Sequence, residues 1–271
     1  MRPTIKDWLR EAAARLGEAG VDSSDLDSEI LLADELNCDR TYLHANWDLI
    51  LNEEVVARVN TKLVQRAERI PLAYIRGFKE FYGREFIVTP DVLVPRPESE
   101  EMIEAMRRLG LSDDVRVVDV GTGSGVMGIT VGLEGLASEV LLIDRSELAL
   151  SVAEQNAEKF GAKVRTRCGD LLSGVEGEFD VVMANLPYVD QGWEVSVETK
   201  FEPEMALFAG DGGLELIKKL VQQLDGVLAA RGYLILEADA RQHAEIVKYG
   251  NSHGLELVEI SGMVVVMRAI D

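Results

Sequence analysis

Cysteine and histidine are scarce in this chain. Cys38 and Cys168 are the only two cysteines in 271 residues, and His44, His243 and His253 the only histidines. Two distant cysteines build no disulfide framework and no CxxC motif, and the three histidines show no metal-ligand or triad spacing. Long apolar runs are missing too: none approaches the roughly 20 residues needed to span a bilayer. The segment Met1-Arg2-Pro3-Thr4-Ile5-Lys6-Asp7-Trp8 lacks the apolar core of a signal peptide, so no membrane role is expected and the cytoplasm is the default expectation. Basic charge is in deficit, with 28 Lys and Arg against 48 Asp and Glu and a formal net charge of −20. Such a surface repels naked nucleic acid, whose binding depends on neutralising phosphates. One segment departs from the average: Arg58, Lys62, Arg66, Arg69, Arg76, Lys79 and Arg84 face only Glu68 and Glu80. It reads as a solvated helix face followed by a hairpin, or as a docking patch for an acidic partner.

What is present is a globular composition, 47% hydrophobic and interrupted throughout by charge, on a chain long enough for two domains. Ile5, Trp8, Leu9, Ala12 and Leu16 recur at helical spacing, and Gly17 and Gly20 end the pattern. Further periodic segments cover about 28–36 and 53–69, so residues 1–72 read as a small all-helical domain. From 73 to 100, Gly77, Gly83, Pro90, Pro95 and Pro97 punctuate short β-branched and aromatic runs. They predict a hairpin and an extended connector rather than helices. Over 101–271, helices alternate with strands at 115–120, 140–144, 164–167, 181–183 and 233–236, and two more at 255–260 and 263–267 close the chain as a hairpin. Ser146 is placed to cap a helix that Gly161 ends. The alternation predicts an α/β fold, a largely parallel sheet with helices on both faces.

In such sheets ligands bind beyond the carboxyl ends of strands. One strand end here carries Gly121-Thr122-Gly123-Ser124-Gly125, another Asn185-Leu186-Pro187-Tyr188. The glycine loop reads two ways. Gly123-Ser124-Gly125-Val126-Met127-Gly128 matches the GxGxxG dinucleotide fingerprint, with Asp144 about 20 residues on to hold a ribose. The same residues fit the loop of class I S-adenosylmethionine methyltransferases, where Asp144 again accepts from the ribose hydroxyls. A third reading is a turn that merely needs glycine. Asp170, with its neighbour Leu171, ends the third strand within reach of an adenine amino group, or serves as a helix cap.

At the second strand end, Asn185 and the main-chain carbonyl of Leu186 offer two acceptors for an NH₂ group. An amide nitrogen is a poor nucleophile because its lone pair is delocalised. Two carbonyls gripping its hydrogens would orient it and stabilise the positive charge that grows on methylation. Pro187 biases Leu186 toward an extended backbone, and Tyr188 offers a flat face for a planar amide. A plain strand-end turn is the bland alternative.

These residues resemble the amino-methyltransferases with an (N/D)PP(Y/F) motif. More closely, the chain is similar to the peptide chain release factor N5-glutamine methyltransferase family, nearly end to end. The likeness rests on Pro71-Leu72-Ala73-Tyr74-Ile75-Arg76-Gly77, Phe81-Tyr82-Gly83, Val94-Pro95-Arg96-Pro97-Glu98-Ser99-Glu100, the glycine loop, Asn185 to Tyr188, and Phe201-Glu202-Pro203. Asp211-Gly212-Gly213-Leu214 and Gly232-Tyr233-Leu234-Ile235-Leu236-Glu237 complete it. The resemblance implies a class I, Rossmann-like methyltransferase domain with a seven-stranded sheet behind an N-terminal helical domain that docks the substrate protein. It implies S-adenosylmethionine as donor, S-adenosylhomocysteine as product, and the glutamine of a Gly-Gly-Gln loop in a class I release factor as acceptor. Gly121 through Gly125, Asp144, Asp170, Leu171 and Asn185 would hold the cofactor. Asn185, Leu186, Pro187 and Tyr188 would hold the glutamine, with Asn185 and Tyr188 carrying the chemistry. The family normally has Pro where Leu186 stands, a glycine is missing from Ala238-Asp239-Ala240-Arg241, and Ser261-Gly262-Met263-Val264 lacks a charged turn. Methylation of adenine or another exocyclic amine, and a catalytically inert cofactor-binding module, are the competing readings.

Overall fold

The computed structural model describes residues 2–112 and 114–270. The chain divides into a helical unit, running up to Gly77 and joined by Ser196–Phe201, and a sheet unit of Phe78–Val195 and everything from Glu202 onward.

The helical unit holds α1 (Ile5–Glu18), α2 (Ser24–Leu36), α3 (Arg40–Ala45), α4 (Glu53–Ala67) and α5 (Leu72–Arg76). The Thr4 hydroxyl accepts the Asp7 N–H at 3.1 Å to start α1, and Ile5, Trp8, Ala12 and Leu16 are its buried stripe. The helix passes through Gly17 and the chain reverses at Gly20, where φ is +78°. Asn52 caps α4 through the Val55 N–H, and Val59 and Leu63 meet Leu31 and Leu32 in one core. Each such side chain contributes roughly 1.5–3 kcal/mol on burial. Helices α3 and α5 escape periodicity because five or six residues hardly complete one apolar repeat. The α5 turn corrects the reading of 73–76 as non-helical.

The basic segment is spent internally. Arg58 and Lys62 pair with Glu35, Arg66 with Asp27 and Glu198, Arg69 with Glu198, Arg76 with Asp34, and Arg84 with Glu134. The alternative reading of a docking patch for an acidic partner is not favoured: Arg58, Lys62, Arg66, Arg69, Arg76 and Arg84 already have carboxylate partners from elements distant in sequence. Burial opposes ionisation of Glu198, but hydrogen bonds from Ser196, Arg69 and Arg66 bring its carboxyl down to about 2.

The sheet unit opens with a hairpin, β1 (Phe78–Phe81) and β2 (Arg84–Ile87). Tyr82 and Gly83 between them both have positive φ, as the twist of a two-residue hairpin requires. Then follow α6 (Glu100–Arg108), β3 (Arg116–Val120), α7 (Val126–Leu133), β4 (Glu139–Asp144), α8 (Glu147–Phe160), β5 (Arg165–Cys168), β6 (Phe179–Ala184), the single turn α9 (Gly210–Gly213), α10 (Glu215–Gln222), β7 (Leu228–Glu237), α11 (His243–Asn251), β8 (Leu255–Ser261) and β9 (Val264–Ala269). The strand order is β5-β4-β3-β6-β7-β9-β8. Pairing is parallel from β5 to β7 and antiparallel for β7 with β9 and β9 with β8.

Alternation places the two cores. Val118 and Val182 enter one apolar cluster, Val117 and Val181 the other, because successive strand residues point to opposite faces. Ser146 caps α8 through the Ala149 N–H, and Gly161 closes it in the left-handed region. The order reverses between β3 and β6, which is where an open parallel sheet leaves its crevice.

Candidate functional site

Register brings the predicted motifs together. Val120 pairs with Ile143 and with Ala184, Asp144 with Cys168, and Ala184 with Leu236. Gly121, Gly169, Asn185 and Glu237 therefore leave neighbouring strands at one end of the sheet. A pocket opens there, lined by Gly121, Thr122, Gly123, Ser124, Asp144, Asp170, Leu171, Asn185, Leu186 and Pro187 among others. Gly125 and Tyr188 do not line it.

The structure separates roles within the glycine loop. Gly121 and Thr122 donate their N–H groups to the Ile143 carbonyl at 2.8 and 2.9 Å, which folds the loop back over β4. At Gly121, with φ of +73°, a Cβ would lie 2.9 Å from Leu186 Cδ2. Gly123 faces open space and donates to Asp144 Oδ2 at 2.9 Å. Gly125 caps the start of α7 and is crowded by Ile129 and Ala153, so it serves packing rather than the pocket. Asp144 also accepts the Ser146 N–H at 2.9 Å. Each carboxylate oxygen keeps a lone pair for a diol.

Asp119 anchors the loop from below. Its wholly buried carboxylate accepts the Thr122 hydroxyl at 2.6 Å and the Gly128 N–H at 3.0 Å, while Oδ1 has no partner. Burial pushes this group up to about 6, against the pull of those two donors. Asp170 caps no helix, since 171–174 are turns. Its carboxylate takes Lys219 instead.

The connector forms a further wall through Asp91, Leu93, Pro95 and Arg96. Glu202 holds it: one oxygen accepts the Val94 N–H at 3.0 Å, the other Arg96 at 2.6 Å. Asn156 does the same for the hairpin, exchanging hydrogen bonds with both backbone groups of Ile87 while donating to the Ser124 carbonyl.

Asn185 lines the pocket with its amide already committed at one end. Nδ2 donates to Ser99 Oγ at 3.1 Å, so Oδ1 is the end left to accept. Leu186 is buried and joins the apolar cluster beneath. Tyr188 points inward, its hydroxyl donating to Glu237 Oε1 at 3.3 Å. Burial and the nearby Glu237 charge raise its ionisation well above the ordinary tyrosine value, so it stays a donor. The Tyr188 carbonyl accepts Gln242 Nε2 at 2.8 Å. Gly213, at φ +83°, lies so close to that carbonyl that any Cβ would overlap it.

Comparison with known proteins closes the question of kinship. A family model described as the PrmC N-terminal domain matches residues 7–77, and one described as the methyltransferase small domain matches 99–202. The release factor glutamine methyltransferase of Koribacter versatilis is 39% identical, over 86% of this chain and 86% of that one. The protein of the same name from Nitratidesulfovibrio vulgaris is 34% identical, over 95% of this chain and 90% of that one. The chain belongs to the release factor glutamine methyltransferase family.

A solved methyltransferase from Pyrococcus furiosus matches the fold with a TM-score of 0.56, covering 79% of this chain and 100% of that one at 19% identity. The sheet unit thus has the class I methyltransferase fold. Within that family assignment, sequence reading missed Ser99, Asn156, Glu202 and Glu237 as parts of the site. Three of them stand inside the segments that carried the resemblance, but a motif names residues without saying what each one touches.

Proposed function

We propose that this chain transfers a methyl group from S-adenosylmethionine to the side-chain amide nitrogen of glutamine in the Gly-Gly-Gln loop of a class I release factor. The observation that carries this reading is the Asn185 carboxamide, tied back through Nδ2 to Ser99 and lining the same pocket as the glycine loop and Asp144.

The pocket fits the donor on two grounds. Open space at Gly123 lets a ligand approach main chain, and the Asp144 carboxylate, held by two backbone N–H groups, suits a ribose diol. When bound, S-adenosylmethionine supplies an electrophilic methyl on a sulfonium sulfur. Asn185 Oδ1 and the Leu186 carbonyl each accept one N–H of the glutamine NH₂. They draw charge onto the nitrogen and keep it from turning away. Leu186 packing on Gly121 links the wall that holds the amide to the loop that holds the donor. That link favours the close approach on which much of the acceleration depends. The methylated nitrogen sheds its proton readily, so no base is assigned.

The helical unit docks the release factor, and the cytoplasm is where the two would meet. Nucleic acid is a poor acceptor for this chain. The net charge is −20 and the basic segment is consumed by internal ion pairs. Incubating the chain with labelled S-adenosylmethionine and either a purified class I release factor or DNA and RNA tests the reading. Mass spectrometry is expected to place one added methylene on the Gly-Gly-Gln glutamine. Label on nucleic acid alone would overturn it. Asn185→Ala is expected to lower single-turnover transfer roughly 10² to 10³-fold, as losing one charge-stabilising hydrogen bond does elsewhere.

A further inference from the structure

Asn185 to Tyr188 carry the amide-binding groups, and their main chain has to be held at both ends. At its start the turn continues β6, whose last pair is Ala184 with Leu236. Past its end, Val189 donates to the Leu207 carbonyl at 3.0 Å and accepts the Ala209 N–H at 3.1 Å. Between these anchors Pro187 locks its own φ, but neither Leu186 nor Tyr188 has such a ring. A swing of the backbone there would turn the Leu186 carbonyl away and leave the sheet intact.

Gln242 blocks that swing. It is 3% exposed and stands at the N-cap of α11, where a short Ser, Thr, Asp or Asn ordinarily turns its side chain onto its own helix. Gln242 makes no such bond. Its carboxamide reaches across instead: Nε2 donates to the Tyr188 carbonyl and to the Gly212 carbonyl, both at 2.8 Å, while Oε1 accepts the Asp239 N–H at 3.1 Å. Both amide hydrogens are thereby spent. The orientation has no alternative, because the two carbonyls can only accept and the backbone N–H can only donate.

The backbone that shares the clamp is strained to meet it. Asp211, Gly212 and Gly213 lie in succession in the left-handed region, at φ of +56°, +65° and +83°, a costly conformation for Asp211. A Cβ at Gly213 would sit 1.9 Å from the Tyr188 carbonyl oxygen and 2.4 Å from Gln242 Nε2. Three chain segments thus meet at one carboxamide, and a bare glycine makes room for it. Gln242 does not line the pocket, so it acts only through the turn it holds.

We propose that Gln242 is a positioning residue for methyl transfer: by clamping the Tyr188 carbonyl to the 211–213 turn, it sets the direction of the Leu186 carbonyl, the main-chain acceptor for the substrate NH₂. The proposal rests on the methyl-transfer reading above.

The test uses the full chain with S-adenosylmethionine and purified release factor, comparing wild type, Gln242→Met and Gln242→Glu. Gln242→Met keeps the length of the side chain and removes both donors. Gln242→Glu keeps its shape and, even when protonated, can serve only one of the two carbonyls. Each is expected to lower kcat about 10- to 100-fold, the scale on which a misplacement of about 1 Å costs rate. The Kd for S-adenosylmethionine by calorimetry should stay within about threefold of wild type, with unchanged stoichiometry, because the donor loop is held by other bonds. A role in folding alone would instead lower the stoichiometry and leave kcat per donor-binding site unchanged. That result, or a wild-type kcat in either variant, would overturn the proposal. Should Gln242→Met fail to fold, Gln242→Glu carries the same test with the same expected loss. A wild-type chain that leaves the glutamine unmethylated sinks the proposed function and this inference together. An active wild type with unimpaired Gln242 variants sinks the inference alone.

Discussion

Asp27 in the helical unit and Glu237 in the sheet unit are both almost closed to solvent, yet their surroundings are opposite. Asp27 meets the Arg66 guanidinium at 2.6 Å, and Arg66 goes on to Glu198 and the Ile70 carbonyl. Glu237 and its counterpart Asp119 meet hydroxyls and N–H groups instead, and each keeps one oxygen without a partner. The helical unit neutralises its buried acids with cations, so they act as ties between helices. The strand ends leave theirs as bare acceptors, which orient donors around a pocket. A buried carboxylate without a cation is costly, and Asp119 and Glu237, on strands that end at the crevice, are such groups among the described residues.

The contrast breaks most visibly at Arg66. Arg66→Ala strands the Asp27 charge and is expected to cost about 3–5 kcal/mol in urea denaturation. A cost below about 1 kcal/mol would mean the helical unit does not rely on this pairing.

Acid should then move the two units in opposite directions. Glu198 is depressed from 4.5 to about 2. Its contribution is complete above the unfolded value and is lost as pH falls through that interval. Asp119 is raised from 3.8 to about 6. Its folded form favours the proton, so stability from this group is complete at low pH and declines as pH rises from 3.8 to about 6. Denaturation midpoints across pH are expected to lose the first slope in Glu198→Gln and the second in Asp119→Asn. Unchanged slopes in either variant would remove that half of the comparison.

The smallest effect sharpens the strand-end case. Thr122→Val deletes one of the two donors to Asp119, which should cost about 1–3 kcal/mol and drive the Asp119 titration higher still. Spectroscopic pH titration of the two proteins checks the direction. A fall would show that the hydroxyl is not what holds the charge.

Much of this protein was legible before any coordinates. Helix α8 runs between its predicted cap and stop, because Ser146 and Gly161 act on their own backbone. Strands β3, β4, β6 and β9 were readable because alternating or continuous apolar runs betray a buried face, whereas β5, Arg165-Thr166-Arg167-Cys168, carries no such run. Boundaries slipped where geometry is non-local: β7 begins at Leu228, well ahead of the apolar core Tyr233 to Leu236. Leu228 pairs with Phe179, and the register then jumps to Val181 with Tyr233, so an irregularity in the β6 pairing separates the start of the strand from its apolar part. The pocket-lining residues announced themselves through glycines and the Asn-Leu-Pro-Tyr turn, while the ion partners of the basic segment could not be read from it, since they lie on other elements.

Local chemistry thus determined the elements, their caps, the glycine loop and the presence of an amide-bearing turn at a strand end. Only the tertiary structure decided that Ser99 lines the pocket while Glu202 holds one of its walls and Glu237 sits behind Tyr188. It also decided that Tyr188 looks inward while Leu186 packs against Gly121. The reason is physical: a hydrogen bond to a buried carboxylate depends on which strand ends lie side by side, and strand order is set by how the whole sheet packs.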